Sequence, residues 1–339
     1  MRSLLTALVL FASAAHAYEV KRDSTGAITT WKAPLHFILD EKLNDKLATD
    51  DATAAVQAAL TTLQPAVPGV TLDAAPGKTH GVGYDFEHPT KSTSDVVVPE
   101  DWKWDDNAVA ITVVSVSKTT HEILEADIAF NAKHTAFAVV SGGSETERYD
   151  VQNAMTHELG HSLGLAHNPN RPESLMYPHS TPGEVSKRVL ATDDLDGLKF
   201  LYPVAAIVAP TAGPQGCSST GSAPFALLAV VMAITVRRRR ALVALASVVG
   251  ALLFVAPAFA APVVGGAWVV SSVRTLAPGA GSQVLQSEVT VVRDGVYRTT
   301  QWAGGSWGDV EQIVEGVAVP APGDAVELAD AQPFAPSGH

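Results

Sequence analysis

Apolar and polar residues alternate through Leu35, Phe37 and Leu39, and this period of two predicts a first strand within residues 31–40. After Asp50-Asp51 the period lengthens. Ala54, Ala55, Ala58, Ala59 and Leu60 fall along one side of a helix to about Leu63, with the aspartates as caps and Pro65 and Pro68 as stops. A second strand is expected near Val70–Leu72. Residues 76–107, rich in Gly, Pro, Asp and Trp, read as a long irregular connection. Ala108–Val116 is a β-branched run and predicts a buried strand. Ile123–Phe130, interrupted by acidic residues, and Ala136–Val140 are further apolar runs, the second followed by a Ser-Gly-Gly loop. Asp150 is placed to cap a helix through Val151, Ala154, Met155 and Leu159 to Gly164. A last helix is expected over Asp193–Leu201 with Thr192 as its cap, and Pro203 closes the domain. Strands followed by helices, without regular βαβ alternation, favour an α+β fold for residues 18–205.

Flanking segments follow other patterns. Arg2, the apolar Leu4–Ala12 and the small-x-small Ala15-His16-Ala17 have the order of a secretory signal, residues 1–17. Residues 206–222 turn to Pro, Gly, Ser and Thr and read as a linker holding Cys217. A short apolar run, Ala223–Val236, then leads into Arg237–Arg240, giving an anchor-like segment at 223–240. A second apolar segment, 241–261, ends in Ala258-Phe259-Ala260. Either the two runs form a membrane hairpin with the arginines inside, or two exported proteins share one reading frame. Residues 262–339 predict a small β-rich unit, with alternation over Val284–Val292, turns at Asp294-Gly295 and Gly304-Gly305, and Trp302 and Trp307 as core.

The net charge of -12 argues against a nucleic-acid or anionic-membrane binder. A single cysteine excludes an intramolecular disulfide.

The chemistry concentrates in His157-Glu158-Leu159-Gly160-His161-Ser162-Leu163-Gly164-Leu165-Ala166-His167. A four-residue step turns about 400° around a helix, so His157 and His161 leave one face a turn apart and can share an ion. Glu158 stands beside the first ligand, where its carboxylate reaches a water rather than the metal. A straight helix cannot supply the third ligand. Gly164 can take positive φ, turn the chain and return His167 to the ion. Three imidazoles leave a position open for water, the pattern of a catalytic zinc site.

These residues resemble the matrixin branch of the metzincin zinc peptidases. The resemblance covers roughly residues 30–203 and is carried by His157–His167, Ser174-Leu175-Met176-Tyr177-Pro178, Glu125-Ala126-Asp127-Ile128 and Thr192-Asp193-Asp194-Leu195-Asp196-Gly197. It implies a twisted mixed sheet with helices above a cleft and a smaller part carrying a Met-turn at Met176, Tyr177 and Pro178. It also implies that Asp194 or Asp193 braces that turn. From the residues alone, these aspartates fit a capped, solvated helix start equally well. One catalytic Zn2+ is implied; calcium is left open. The His/Asp-rich loop that holds a second zinc in many members is not seen between Asp127 and Asp150, where His134 stands alone. No cysteine precedes His157 to occupy the metal and confer latency.

Gly216-Cys217-Ser218, the apolar run and the arginines resemble the C-terminal sorting tails of exported myxobacterial proteins. That likeness implies processing or attachment at Cys217 by sorting machinery and membrane contact through the apolar segments. The combined expectation is an exported or surface-anchored zinc endopeptidase acting on protein or peptide, with no nucleic-acid partner. Ala136–Val140 is expected as the sheet edge that receives extended substrate, and Pro178–Ser180 as part of the wall for the side chain after the cut. The alternative is a catalytically silent zinc-binding adhesion or scaffold module.

Overall fold

The computed structural model describes residues 18–141, 145–203 and 267–326. The signal-like segment 1–17, the linker with Cys217 and the apolar segments 223–240 and 241–261 lie outside the described residues. Among the described residues no helix is long and apolar enough to cross a membrane.

The first part of the chain gives β1 (Leu35–Asp40), α1 (Leu43–Lys46), α2 (Ala52–Leu63), β2 (Leu72–Gly77), β3 (Tyr84–Asp85), β4 (Ser94–Val97), β5 (Ala110–Ser117), β6 (Ile123–Phe130), β7 (Phe137–Ala138), β8 (Tyr149–Asp150), α3 (Val151–Ser162) and α4 (Thr192–Leu201). The C-terminal region adds β9 (Trp268–Thr275), β10 (Ser282–Gln283), β11 (Gln286–Arg293), β12 (Val296–Ala303), β13 (Gly305–Trp307), β14 (Val310–Val314) and β15 (Ala325–Val326). The described residues within 18–203 and 268–326 form one compact unit.

Its main sheet has seven strands in the order β13-β14-β5-β6-β4-β1-β2. β1 pairs parallel with β2 and β4, and β4 parallel with β6, whereas β5 and β14 run antiparallel to their neighbours. This is the α+β arrangement expected, with one central strand unforeseen: β4 lies inside the stretch read as irregular. Ser94, Asp95, Val96 and Val97 are all buried, so β4 lacks the alternation that marks a half-exposed strand. The strand expected near Val70–Leu72 is β2, which begins at Leu72.

Period-two alternation sends β5 side chains to two different cores. Val114 and Val116 join Ala126, Ile128 and Phe130 of β6 under α2 and α3, while Ile111 and Val113 pack on the other face with Val97, Trp102, Ala129 and Val314. Val56 and Leu63 of α2 face the first core, whereas Ala54 points to solvent. Asp51 is the N-cap of α2 but makes no side-chain capping bond. Asp150 does cap α3, accepting the Asn153 N–H at 2.7 Å. The residue before α4 is Ala191, and Asp194 reaches back to accept its N–H at 2.8 Å, in place of the expected Thr192 cap.

The C-terminal region is β-rich as expected. Val289 and Val291 of β11 point inward beside Trp268 and Val270, and Asp294-Gly295 turns the β11–β12 hairpin with both residues at positive φ. Trp302 packs against this core. Trp307, expected inside, is 42% exposed. β13 and β14 do not join the sheet of β9, β11, β12 and β15 but extend the main sheet beyond β5.

Candidate metal centre and active site

The buried helix α3 carries His157, Glu158 and His161, and the chain then turns at Gly164 with φ +93°. A Cβ there would stand 2.8 Å from the Thr29 carbonyl oxygen, so glycine is required by space as well as by φ. Residues before β1 brace the turn: Lys21 N–H donates to the Gly164 carbonyl at 2.8 Å and Ala166 N–H to that of Glu19 at 3.0 Å. Trp31 Nε1 and the Tyr202 hydroxyl hold the carbonyls of Ser162 and Leu163.

The turn returns His167 to the helix. His157 Nε2 lies 3.1 Å from His167 Nε2 and 3.2 Å from His161 Nε2. Ligand atoms of all three lie within 4.8 Å of one another. Tetrahedral Zn–N bonds of about 2.05 Å place neighbouring nitrogens about 3.3 Å apart, so these residues fit one zinc ion. His157 Nδ1 is 2.6 Å from the Leu175 carbonyl and His161 Nδ1 3.0 Å from that of Leu165. Donation from Nδ1 to each carbonyl leaves the Nε2 lone pair facing the cluster. Burial pushes all three imidazoles below their ordinary value, toward the neutral form a metal binds, with neighbouring positive groups next at His157 and His161 and the Glu315 carboxylate opposing it at His167.

Glu158 is buried, and Thr112 of β5 donates its hydroxyl to Oε2 at 2.6 Å. Burial pushes this carboxyl up to about 7, against the opposing pull of the Thr112 hydrogen bond. A carboxylate balanced near neutrality and held by one oxygen suits a proton acceptor.

Below the histidines, Asp194 organises the Ser174–Pro178 turn. It accepts the Ser174 hydroxyl at 2.6 Å and the Leu175 N–H at 2.8 Å. Of the two readings of the paired aspartates, Asp194 is therefore the brace. Asp193 is buried beside Asn168, whose side-chain amide lies 3.4 Å away. Met176 is 2% exposed and packs directly under Gly160, where a Cβ would collide with its sulfur. The Tyr177 carbonyl, that of His179 and the Ser180 hydroxyl converge on the buried Lys187 Nζ at 2.7–3.0 Å, which fixes the chain around Pro178.

Some expectations change. Ala136–Val140 is not part of the main sheet. Only Phe137–Ala138 is strand, and it pairs in parallel with β8. The Val140 N–H donates to Asp150, and the Val140 carbonyl accepts from Arg188 at 2.8 Å, so the Val140 backbone is already satisfied. His134 is away from the triad, 3.1 Å from Asp106. Two residues at the site went unforeseen. Thr112 sits in a β-branched run with nothing local to distinguish it. Glu315 arrives from beyond β14, with Oε1 3.1 Å from His167 Nδ1 and Oε2 3.4 Å from His161 Nδ1, in an ion pair with Lys21. Burial alone would raise Glu315, yet Lys21 and His167 hold it below the usual glutamate value.

The chain is similar in sequence to known metalloproteinases. The chain is 39% identical to human neutrophil collagenase over 67 residues, covering 20% of this chain and 14% of that protein. It is 28% identical to soybean (Glycine max) metalloendoproteinase 1 over 127 residues, covering 38% and 34%. The chain thus spans about a third or less of the length of these relatives. A crystal structure of metalloproteinase-II from Bacteroides fragilis aligns over 51% of this chain and 54% of that one, with 17% identity and a TM-score of 0.31. The matrixin family model matches residues 14–203, more than half of the sequence, with the histidine cluster and the Met176 turn inside the match. The chain belongs to the matrixin family.

Proposed function

We propose that this chain is a zinc-dependent endopeptidase, exported through its N-terminal signal-like segment. One observation carries the reading: three imidazole nitrogens converge with 3.1–3.2 Å separations beside a buried glutamate held in place by Thr112. Zinc, when bound, supplies Lewis acidity to the scissile carbonyl and to the attacking water. The carbonyls of Leu165 and Leu175 keep His161 and His157 oriented as neutral donors. Glu158, with Oε2 engaged by Thr112, uses Oε1 to take the proton from water and later gives it to the leaving amine. Extended substrate adds as a strand along the outer edge of β5, which runs beside α3 and meets Glu158 through Thr112. Tyr177–Ser180, held by Lys187, forms part of the wall beyond the cut.

The silent-module alternative gives no reason for Glu158 to be buried and positioned in this way. Glu158→Ala is expected to retain stoichiometric zinc while hydrolysis of casein or gelatin falls by about a hundredfold or more. Full hydrolysis by that variant, or hydrolysis by the wild-type chain that resists chelators, refutes the assignment.

A further inference from the structure

The outer edge of β5 is filled by the chain itself. β14 pairs with it antiparallel, Val310 opposite Ser117 and Val314 opposite Val113. The backbone pairing runs past both ends: Lys118 N–H donates to the Asp309 carbonyl at 2.7 Å, and Glu315 N–H to the Thr112 carbonyl at 2.9 Å. Side chains fasten the same segment at four places. Asp309 accepts the hydroxyls of Ser117 and Thr119 at 2.6 and 2.5 Å. Glu311 accepts the Ser24 N–H and hydroxyl at 2.9 and 2.6 Å. Gln312 Nε2 reaches Ser115 Oγ at 3.3 Å, and Glu315 pairs with Lys21. Glu311, Gln312 and Val314 are buried.

Where this segment ends matters as much as where it lies. Thr112, whose carbonyl receives the Glu315 N–H, also holds Glu158 through its hydroxyl. The Glu315 carboxylate then stops at the Nδ1 side of the imidazoles of His161 and His167, behind the Nε2 atoms that converge in the cluster. The segment therefore lies along the stretch of β5 beside Thr112 and Glu158, where an extended peptide has to pair in order to reach the proton acceptor. Two strands cannot share the donors and acceptors of one sheet edge.

We propose that Asp309–Glu315 is an internal occupant of the peptide-binding edge, so that the folded chain is self-blocked and substrate adds at β5 only when this segment leaves. Its effect on hydrolysis rests on the peptidase reading above; the occupancy itself does not. The segment's character also describes what the edge accepts: an extended, β-branched stretch with acidic side chains at Asp309, Glu311 and Glu315 meeting Ser24, Lys21 and the Ser117–Thr119 corner.

The test uses the full zinc-loaded chain and a fluorescent peptide of the sequence Asp309–Glu315, with binding read in a Glu158→Ala background so that the probe stays intact. Ile313 lies two residues before Glu315, so its N–H points to the same edge, and Ile313→Pro removes it. A segment docked nine-tenths of the time weakens a competing peptide about tenfold. The Ile313→Pro chain is therefore expected to bind the probe at least about tenfold more tightly than its parent. With Glu158 intact, it is expected to hydrolyse a quenched peptide faster by a similar factor. Equal probe binding by both chains, each folded and holding zinc, overturns the proposal. Tighter binding with hydrolysis by neither chain leaves the occupancy standing and removes the peptidase reading. Should Ile313→Pro lose its fold or its zinc, Glu311→Ala combined with Gln312→Ala releases the Ser24 and Ser115 anchors instead. Unchanged probe binding by that folded double variant overturns the proposal equally.

Discussion

Two buried glutamates, Glu125 and Glu158, differ in the partners that the fold provides. Glu158 receives the Thr112 hydroxyl and stands at the histidines. Glu125, on the face of β6 opposite the helices, has neither oxygen in a well-aligned hydrogen bond among the described residues. Burial pushes its carboxyl up to about 8, and burial together with Glu125 raises neighbouring Asp127 as well. The folded chain therefore binds more protons here than the unfolded chain, whose glutamate titrates near 4.5. Stability contributed by the neutral form is fully present below that value and declines as pH rises toward about 8. Glu125→Gln is expected to match the parent near pH 4.5 and to exceed it by more than about 1 kcal/mol at pH 8. Denaturant unfolding across that range measures the difference; a parent that gains stability on the alkaline side contradicts it.

Among the elements, the turn after α3 and the Met176 turn show how a site is made rigid from local parts. Gly164 bends the chain, and the extended residues 19–21 and the carbonyl contacts of Trp31 and Tyr202 keep it bent. The start of α4 performs the matching task below. Asp194 joins the Ala191 N–H of its own helix to the Ser174 hydroxyl and the Leu175 N–H of the turn. The Leu175 carbonyl in turn orients His157. Asp194→Ala leaves buried donors without an acceptor and is expected to cost about 2–4 kcal/mol of stability. Zinc affinity should fall with it, because the support of His157 is loosened. Chelator competition and denaturant melts read the two effects. Unaltered values in both would show that the turn holds itself.

At the scale of the whole molecule, the first core runs from Trp31 to Tyr202 and does not include the histidines, so the fold has an apolar basis independent of metal. A metal that binds only the folded chain still adds stability, by about 4 kcal/mol when free zinc exceeds its Kd a thousandfold. Chelation is therefore expected to lower the thermal midpoint without unfolding the chain at room temperature, and equimolar zinc to restore it. A midpoint indifferent to chelator and zinc would mean that the triad holds no ion. The same sheet brings the C-terminal region into this unit through β14, with residues from Ser24 to Thr119 contributing to its hold.

The sequence alone determined the reactive centre, because its parts lie close together and each depends on local geometry. Helical spacing aligns His157 and His161, and Gly164 permits the turn to His167. Tertiary structure decided what depends on neighbours distant in sequence. β4 is a strand because β1 and β6 pair with its two edges, and the cores that take Val96 and Val97 cover its two faces, which erases the period that would announce it. Thr112 became the partner of Glu158 only once β5 was laid against α3. Ala136–Val140 lost its place as the substrate edge because it lies outside the main sheet, in a separate pair with β8. The β5 edge went to β14, since edge pairing joins backbone to backbone and leaves little trace in the side chains of either strand.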